Sequence, residues 1–109
     1  MATSYKILGQ AIPAANVATS LYTVPSSTTA ISSTLQICNQ ASSAGTVSIA
    51  ARPAGATLAT QHYLLYNTSI AANDSMSLTI GMCLATTDVL TVVSSSGNIS
   101  FTLFGSELT

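Results

Sequence analysis

A chain of 109 residues with one histidine, two cysteines, three carboxylates and two basic side chains has few ways to do chemistry. Nucleophilic catalysis requires a base beside a Ser, Thr or Cys, and the sole imidazole is His62. Ser and Thr are so frequent that a hydroxyl near His62 follows from composition alone, so the expectation for His62 is a ring hydrogen-bonded to backbone. Metal binding would need His62, Cys38, Cys83, Asp74, Asp88 and Glu107 at close ligand spacing, and they are scattered. Acid/base work by paired carboxylates would need two of Asp74, Asp88 and Glu107 to converge, which their spacing does not predict; Asp74 and Asp88 sit where turns form. No glycine-rich phosphate loop occurs. The chain is therefore expected to be no enzyme, with no catalytic residue, cofactor or metal.

Lys6 and Arg52 are the whole basic complement, too little for the several phosphate contacts that nucleic-acid binding draws on. No apolar run approaches the roughly 18 residues of a membrane helix, and MATSYKILGQ has no long apolar segment with a cleavage site. Neither nucleic acid nor membrane is expected as a partner, and the expected site of folding is a reducing cytoplasm, with Cys38 and Cys83 as two buried thiols. Arg52 precedes Pro53 at a strand end, where an ion pair with an Asp would fix a corner or reach a neighbouring subunit. Tyr63 and Tyr66 flank Leu64-Leu65, so one of them should point outward, to a subunit contact or, as a second possibility, a sugar. Arg52, Tyr63 and Tyr66 are the candidate interface residues.

These side chains must be positioned by strands, because a period of two runs through the chain. It is cleanest at Ser75 to Leu84, where Met76, Leu78, Ile80, Met82 and Leu84 alternate with Ser, Thr, Gly and Cys. Ile31, Leu35 and Ile37 share one parity, as do Val47, Ile49 and Ala51, while Ile99, Phe101 and Leu103 oppose Ser100, Thr102 and Phe104. The expected strands are Tyr5 to Gln10, Ser20 to Val24, Ala30 to Asn39, Thr46 to Arg52, Gln61 to Tyr66, Ser75 to Leu84, Val89 to Ser95 and Ile99 to Gly105. Turn-rich clusters separate them, Asn67 and Ala71 to Asp74 among them, and the Ala-rich stretches at Ala11 to Ala18 and Ala51 to Ala59 carry Pro13, Pro53 and Gly55 and read as loops. The Asn-x-Ser/Thr-type triplets at Asn67, Asn73 and Asn98 read as turns. Ser75 to Leu84, Thr87-Asp88 and Val89 to Val93 read as a hairpin in which Asp88 bonds nearby N–H groups. Residues 1–109 are expected to form one all-β domain, an antiparallel β-sandwich of about eight strands, jelly-roll-like.

Only 5% of the residues are charged, against about a quarter in an ordinary domain. Monomeric sheets guard their edges with charge, so a chain with so little should have its surface covered by assembly. Alternating Ser and Thr can bond across an interface without the desolvation cost of burying ions. The contacts should be salt-tolerant and largely hydroxyl, within a homo-oligomer.

The segments YKILGQ, LYTVPSSTT, STLQICNQ, ARPAGATL and the tail from IAANDSMSLTIGMCLATTDVLTV to SFTLFGSELT together resemble a family of small virion structural proteins of tailed bacteriophages, of the cyanophage kind. The resemblance runs along essentially the whole chain, through Tyr22 to Pro25, Asn39, Ile70 to Ser75, Leu84 to Val89 and Phe104 to Glu107. It implies a non-enzymatic virion component made in the host cytoplasm, contacting the major capsid protein or other virion proteins. Capsid decoration is the favoured role, with neck, baseplate or tail-fibre attachment as the alternative, and a subunit of this kind is expected as a homo-oligomer, with a trimer favoured. It carries over no catalytic residues.

Overall fold

In the computed structural model, which describes residues 3–79 and 81–109, nine strands are found among the described residues. They are β1 (Thr3–Ala11), β2 (Thr19–Thr23), β3 (Thr29–Asn39), β4 (Gly45–Arg52), β5 (Tyr63–Ile70), β6 (Ser75–Leu78), β7 (Cys83–Leu84), β8 (Val89–Ser94) and β9 (Ile99–Leu108). One sheet has the order β1-β9-β3-β6, with β7 also on β3, and the other has the order β2-β8-β4-β5. All pairings are antiparallel. With β6 and β7 taken as two halves of one strand, β1 pairs with β9, β2 with β8, β3 with β6/β7, and β4 with β5. Four nested pairs wound into two sheets are a jelly roll.

The period-2 segments supply the core between the sheets. Phe101, Leu103, Ile99, Ile37 and Leu35 face it from one sheet, and Val47, Ile49, Leu90 and Val92 from the other, all at most 2% exposed. Each such side chain contributes about 1.5–3 kcal/mol of burial. The other side of β9 carries Ser100, Thr102 and Phe104, as the alternation requires.

Bulges change what alternation alone says about faces. Ser32 pairs with Gly105 and Thr34 with Phe104, so Ser33 is an extra residue in β3. Ala30 and Ser32 face the core before it, and Leu35 and Ile37 after it. One inserted residue inverts a period-2 pattern. Ile31, grouped by parity with Leu35 and Ile37, therefore points outward and is 53% exposed.

The expected strand Ser75 to Leu84 is interrupted for a related reason. Between Ile31↔Cys83 and Leu35↔Leu78, four steps along β3 face five along its partner. The surplus residue breaks the ladder, and Ser32 bridges the break: its N–H donates to Met82 O at 2.9 Å and its Oγ accepts from Met82 N at 3.1 Å. Ile80, assigned to the apolar face of that strand, lies outside the described residues.

Two local expectations fail because pairing is long-range. The β7–β8 connection is no hairpin, since β7 lies in one sheet and β8 in the other. Asn67 is not a turn; it is a left-handed residue (φ 47°) inside β5, which continues to Ile70. The Ser48 hydroxyl accepts its N–H at 2.9 Å and so stitches this bulge to β4. Asn73 (φ 54°), in contrast, does form the turn before β6.

Buried Asn39 ties the ends of the sheets together at one pole. Its side-chain amide donates to Ser43 O at 3.0 Å and Ala71 O at 3.1 Å, while its Oδ1 accepts from Ala41 N at 3.0 Å. The β3–β4 and β5–β6 connections are thereby fastened to each other.

Candidate assembly surface

The two outer faces of the sandwich differ. Over the β2-β8-β4-β5 sheet, β4 and β8 are buried on both sides, including Ser48, Ala50 and Thr91. The 53–62 connection, with 3₁₀ turns at Pro53–Gly55 and Thr60–His62, packs against these strands. Arg52 holds it there: Nε donates to Ala56 O at 2.7 Å, one terminal nitrogen to Gly55 O at 3.2 Å, and the other to Thr91 Oγ1 at 3.1 Å. Its partners are neutral oxygens of its own chain, where the sequence suggested an Asp.

Asp88 does meet backbone N–H groups, as its turn position implies, and one is remote. Its two carboxylate oxygens accept from Ala85 N and Ala54 N, both at 2.8 Å. Ala54 is a non-glycine residue at φ 52°, so Asp88 pins a strained turn of the same connection. His62 is buried and its Nδ1 accepts from Ala59 N at 3.0 Å. Arg52→Ala should cost about 1–1.5 kcal/mol, with faster amide exchange at Ala56 measured by hydrogen exchange as the local signature.

Tyr63 and Tyr66 meet at a centroid distance of 4.9 Å with an interplanar angle of 72°. A bulge at Leu64, between Ile49↔Leu65 and Ala50↔Tyr63, brings together two residues three apart that a regular strand would send to opposite faces. Tyr66 is 64% exposed and Tyr63 half-buried, so the outward member of the pair is Tyr66.

The β1-β9-β3 side is uncovered and apolar. Tyr5 and Ile7 of β1, Phe104 and Leu108 of β9, and Ile31 of β3 all project outward, Tyr5 being 85% exposed. Register groups them: Tyr5 and Ile31 both flank Ser106, and Ile7 flanks Phe104. Between them lies an open hollow of about 500 Å³, also lined by Lys6, Ser33, Gly105 and Ser106. Exposed Cys83, opposite Ile31, borders the group, which corrects its expected burial. Cys38, half-buried, is seven residues further along β3 from Ile31, about 23 Å away. The two thiols are not neighbours.

Beneath this face the inner side of β1 and β9 carries an ionic bridge. Lys6 Nζ lies 2.6 Å from Glu107 Oε1, and the Tyr22 hydroxyl, from the opposite sheet, donates to Glu107 Oε2. The Lys6 and Tyr22 donors hold the Glu107 carboxyl below its ordinary 4.5, against an opposing effect of desolvation. Burial, then the adjoining carboxylate, raise the Tyr22 hydroxyl well above its ordinary value. With Asp74 Oδ1 accepting from Ser75 N at 2.8 Å, all five charged side chains are engaged by their own chain. Lys6 alone of the five reaches the hollow on the uncovered face, half exposed and with its charge paired to Glu107.

Sequence reasoning missed this surface. The one local signal was Phe104, out of phase with Ile99, Phe101 and Leu103; the outward turn of Ile31 depended on a bulge.

No protein-family model and no curated protein matches the chain. Among solved structures, a chain from the structure of infectious bursal disease virus, Gx strain, is similar in fold. The match has a TM-score of 0.51 at 14% identity and covers 97% of this chain and 30% of that one. The shared feature is a β-sandwich spanning nearly all of the present chain, which amounts to under a third of its neighbour's length.

Proposed function

We propose that this protein is a non-enzymatic structural subunit of a virion, favoured as a capsid decoration or cement protein, with the neck, baseplate or tail-fibre attachment as the alternative position. The observation that carries the reading is the combination of a jelly roll with one uncovered apolar face and all five charges internally engaged. Contiguous exposed apolar groups on a soluble domain mark contact surfaces. Fold likeness to a chain of a virus structure supports the same setting, as does the resemblance to tailed-phage virion proteins. The partners in this reading are other copies and other virion proteins, assembled in the host cytoplasm.

Apolar contacts with no exposed ion pairs are insensitive to screening. Association with particles, followed by co-sedimentation, should therefore change less than about twofold between about 0.1 and 1 M salt. Copy number per particle assigns the position: hundreds mean shell decoration, a dozen or so a neck or tail ring. Absence from purified particles would refute the reading.

A second reading, a host-glycan-binding module, is favoured by the exposed Tyr66 ring resting on Tyr63. Tyr66→Ala should then abolish binding on a glycan array, and an array silent with the unaltered protein removes this reading.

A further inference from the structure

We infer that the uncovered face is completed by a second copy of the same chain, packed about a two-fold axis so that each Tyr5 enters the other's hollow. This rests on the proposed assembly role and names the partner of the same face. Three observations select the occupant. Knob and hole lie side by side on one surface: Tyr5 stands 85% exposed at the rim of the roughly 500 Å³ hollow formed with Ile7, Ile31 and Phe104. A surface carrying both is self-complementary, and a two-fold axis satisfies both copies at once. A ring of three would need two different patches turned towards each other, so the face favours a dimer over the trimer expected of a virion subunit.

The second observation is charge. The chain carries a formal net charge of −1, and the ions nearest the face, Lys6 and Glu107, are joined to each other. Two copies therefore meet with little repulsion, and a strongly charged partner finds at the hollow only Lys6, half exposed and already paired with Glu107.

The third is area. The eleven-residue β3 is about 36 Å long and four strands span about 14 Å, a face of roughly 500 Å² in projection. Two such faces bury about 1,000 Å² or more, the lower bound for a specific interface. Its polar half, with Ser77 bonded to Gln36 and Gln40 to Ser100, lies beyond the apolar group along β3 and gives the interface a polar margin on that side.

The test is sedimentation equilibrium of the purified protein across its soluble concentration range. A dimer is expected, with Tyr5→Asp raising its dissociation constant about 30-fold. Ile7→Lys, a second variant on the same face, should weaken it similarly, and Val17→Asp, on the β1–β2 connection, should leave it unchanged. Cooperative thermal unfolding, compared at concentrations where parent and variants are all monomeric, confirms that the variants fold. A monomer at every concentration, a trimer, or a dimer indifferent to both Tyr5→Asp and Ile7→Lys overturns the inference. Those outcomes leave the virion reading intact, since it is judged separately by the presence and copy number of the protein in particles.

Discussion

Gly105→Ala is expected to lower stability by about 3 kcal/mol, and the melting temperature by roughly 12 °C or more. A methyl group there would stand 2.9 Å from the Ser32 Cα and 2.9 Å from Leu8 Cδ1, and nearer still to the carbonyl oxygen of Ile31. Two of the three neighbours are backbone and cannot turn away. β9 has no freedom to retreat, because it is hydrogen-bonded to β1 on one side and β3 on the other. The reason for the closeness is the bulge at Ser33, which drives the β3 backbone towards β9 opposite Gly105. Thermal unfolding by circular dichroism measures the effect; a loss under about 1 kcal/mol would mean that the bulge relaxes around the methyl group. Gly81→Ala, where a new Cβ meets nothing within 4 Å, is the internal control.

The Glu107 bridge should make stability depend on acid. A carboxyl whose folded pKa is depressed contributes stability that is complete above its ordinary 4.5 and is lost as the pH falls through the lower folded value. Glu107→Gln, which keeps an acceptor for Tyr22 but removes the charge facing the half-exposed Lys6, should cost about 1 kcal/mol at pH 7. The gap between variant and parent should shrink steadily once the pH drops below the ordinary carboxyl value. Urea unfolding at a series of pH values reads this directly. A pH-independent gap would assign the effect of Glu107 to packing instead of charge. Because the bridge joins β1 and β9 of one sheet to β2 of the other, its loss should also loosen the end of the sandwich that carries Tyr5.

Much of the architecture was legible because strand periodicity is local. The expected Ser20–Val24, Ala30–Asn39, Thr46–Arg52 and Val89–Ser95 strands agree with β2, β3, β4 and β8 to within a residue at each end. Side-chain alternation together with turn residues every few positions suffices for that, and for a two-sheet sandwich. The errors cluster where an extra residue enters a strand. Ser33 reversed Ile31, the surplus residue in the segment between β6 and β7 split a strand that reads as continuous, and Leu64 and Asn67 remade β5. Bulges arise from the register of two partners, and neither partner's sequence contains it.

The candidate site divides the same way. Arg52, Tyr63 and Tyr66 were visible by residue type, but what each touches is a tertiary matter. Arg52 divides its hydrogen bonds between the connection that covers one face and Thr91 of β8 beneath it, and the tyrosines share a side because of a bulge. Lys6 and Glu107 are 101 positions apart in a chain of 109, and meet only because the first and last strands are neighbours in the roll. By itself the sequence determined an all-β sandwich with scarcely any charge, since composition and alternation are properties of single segments. Only the tertiary structure decided that those charges are engaged within their own chain, Lys6 with Glu107 and the other three with backbone or hydroxyl groups, and that the uncovered face is an apolar one beside Tyr5, because facing and neighbourhood depend on strand register across the whole chain.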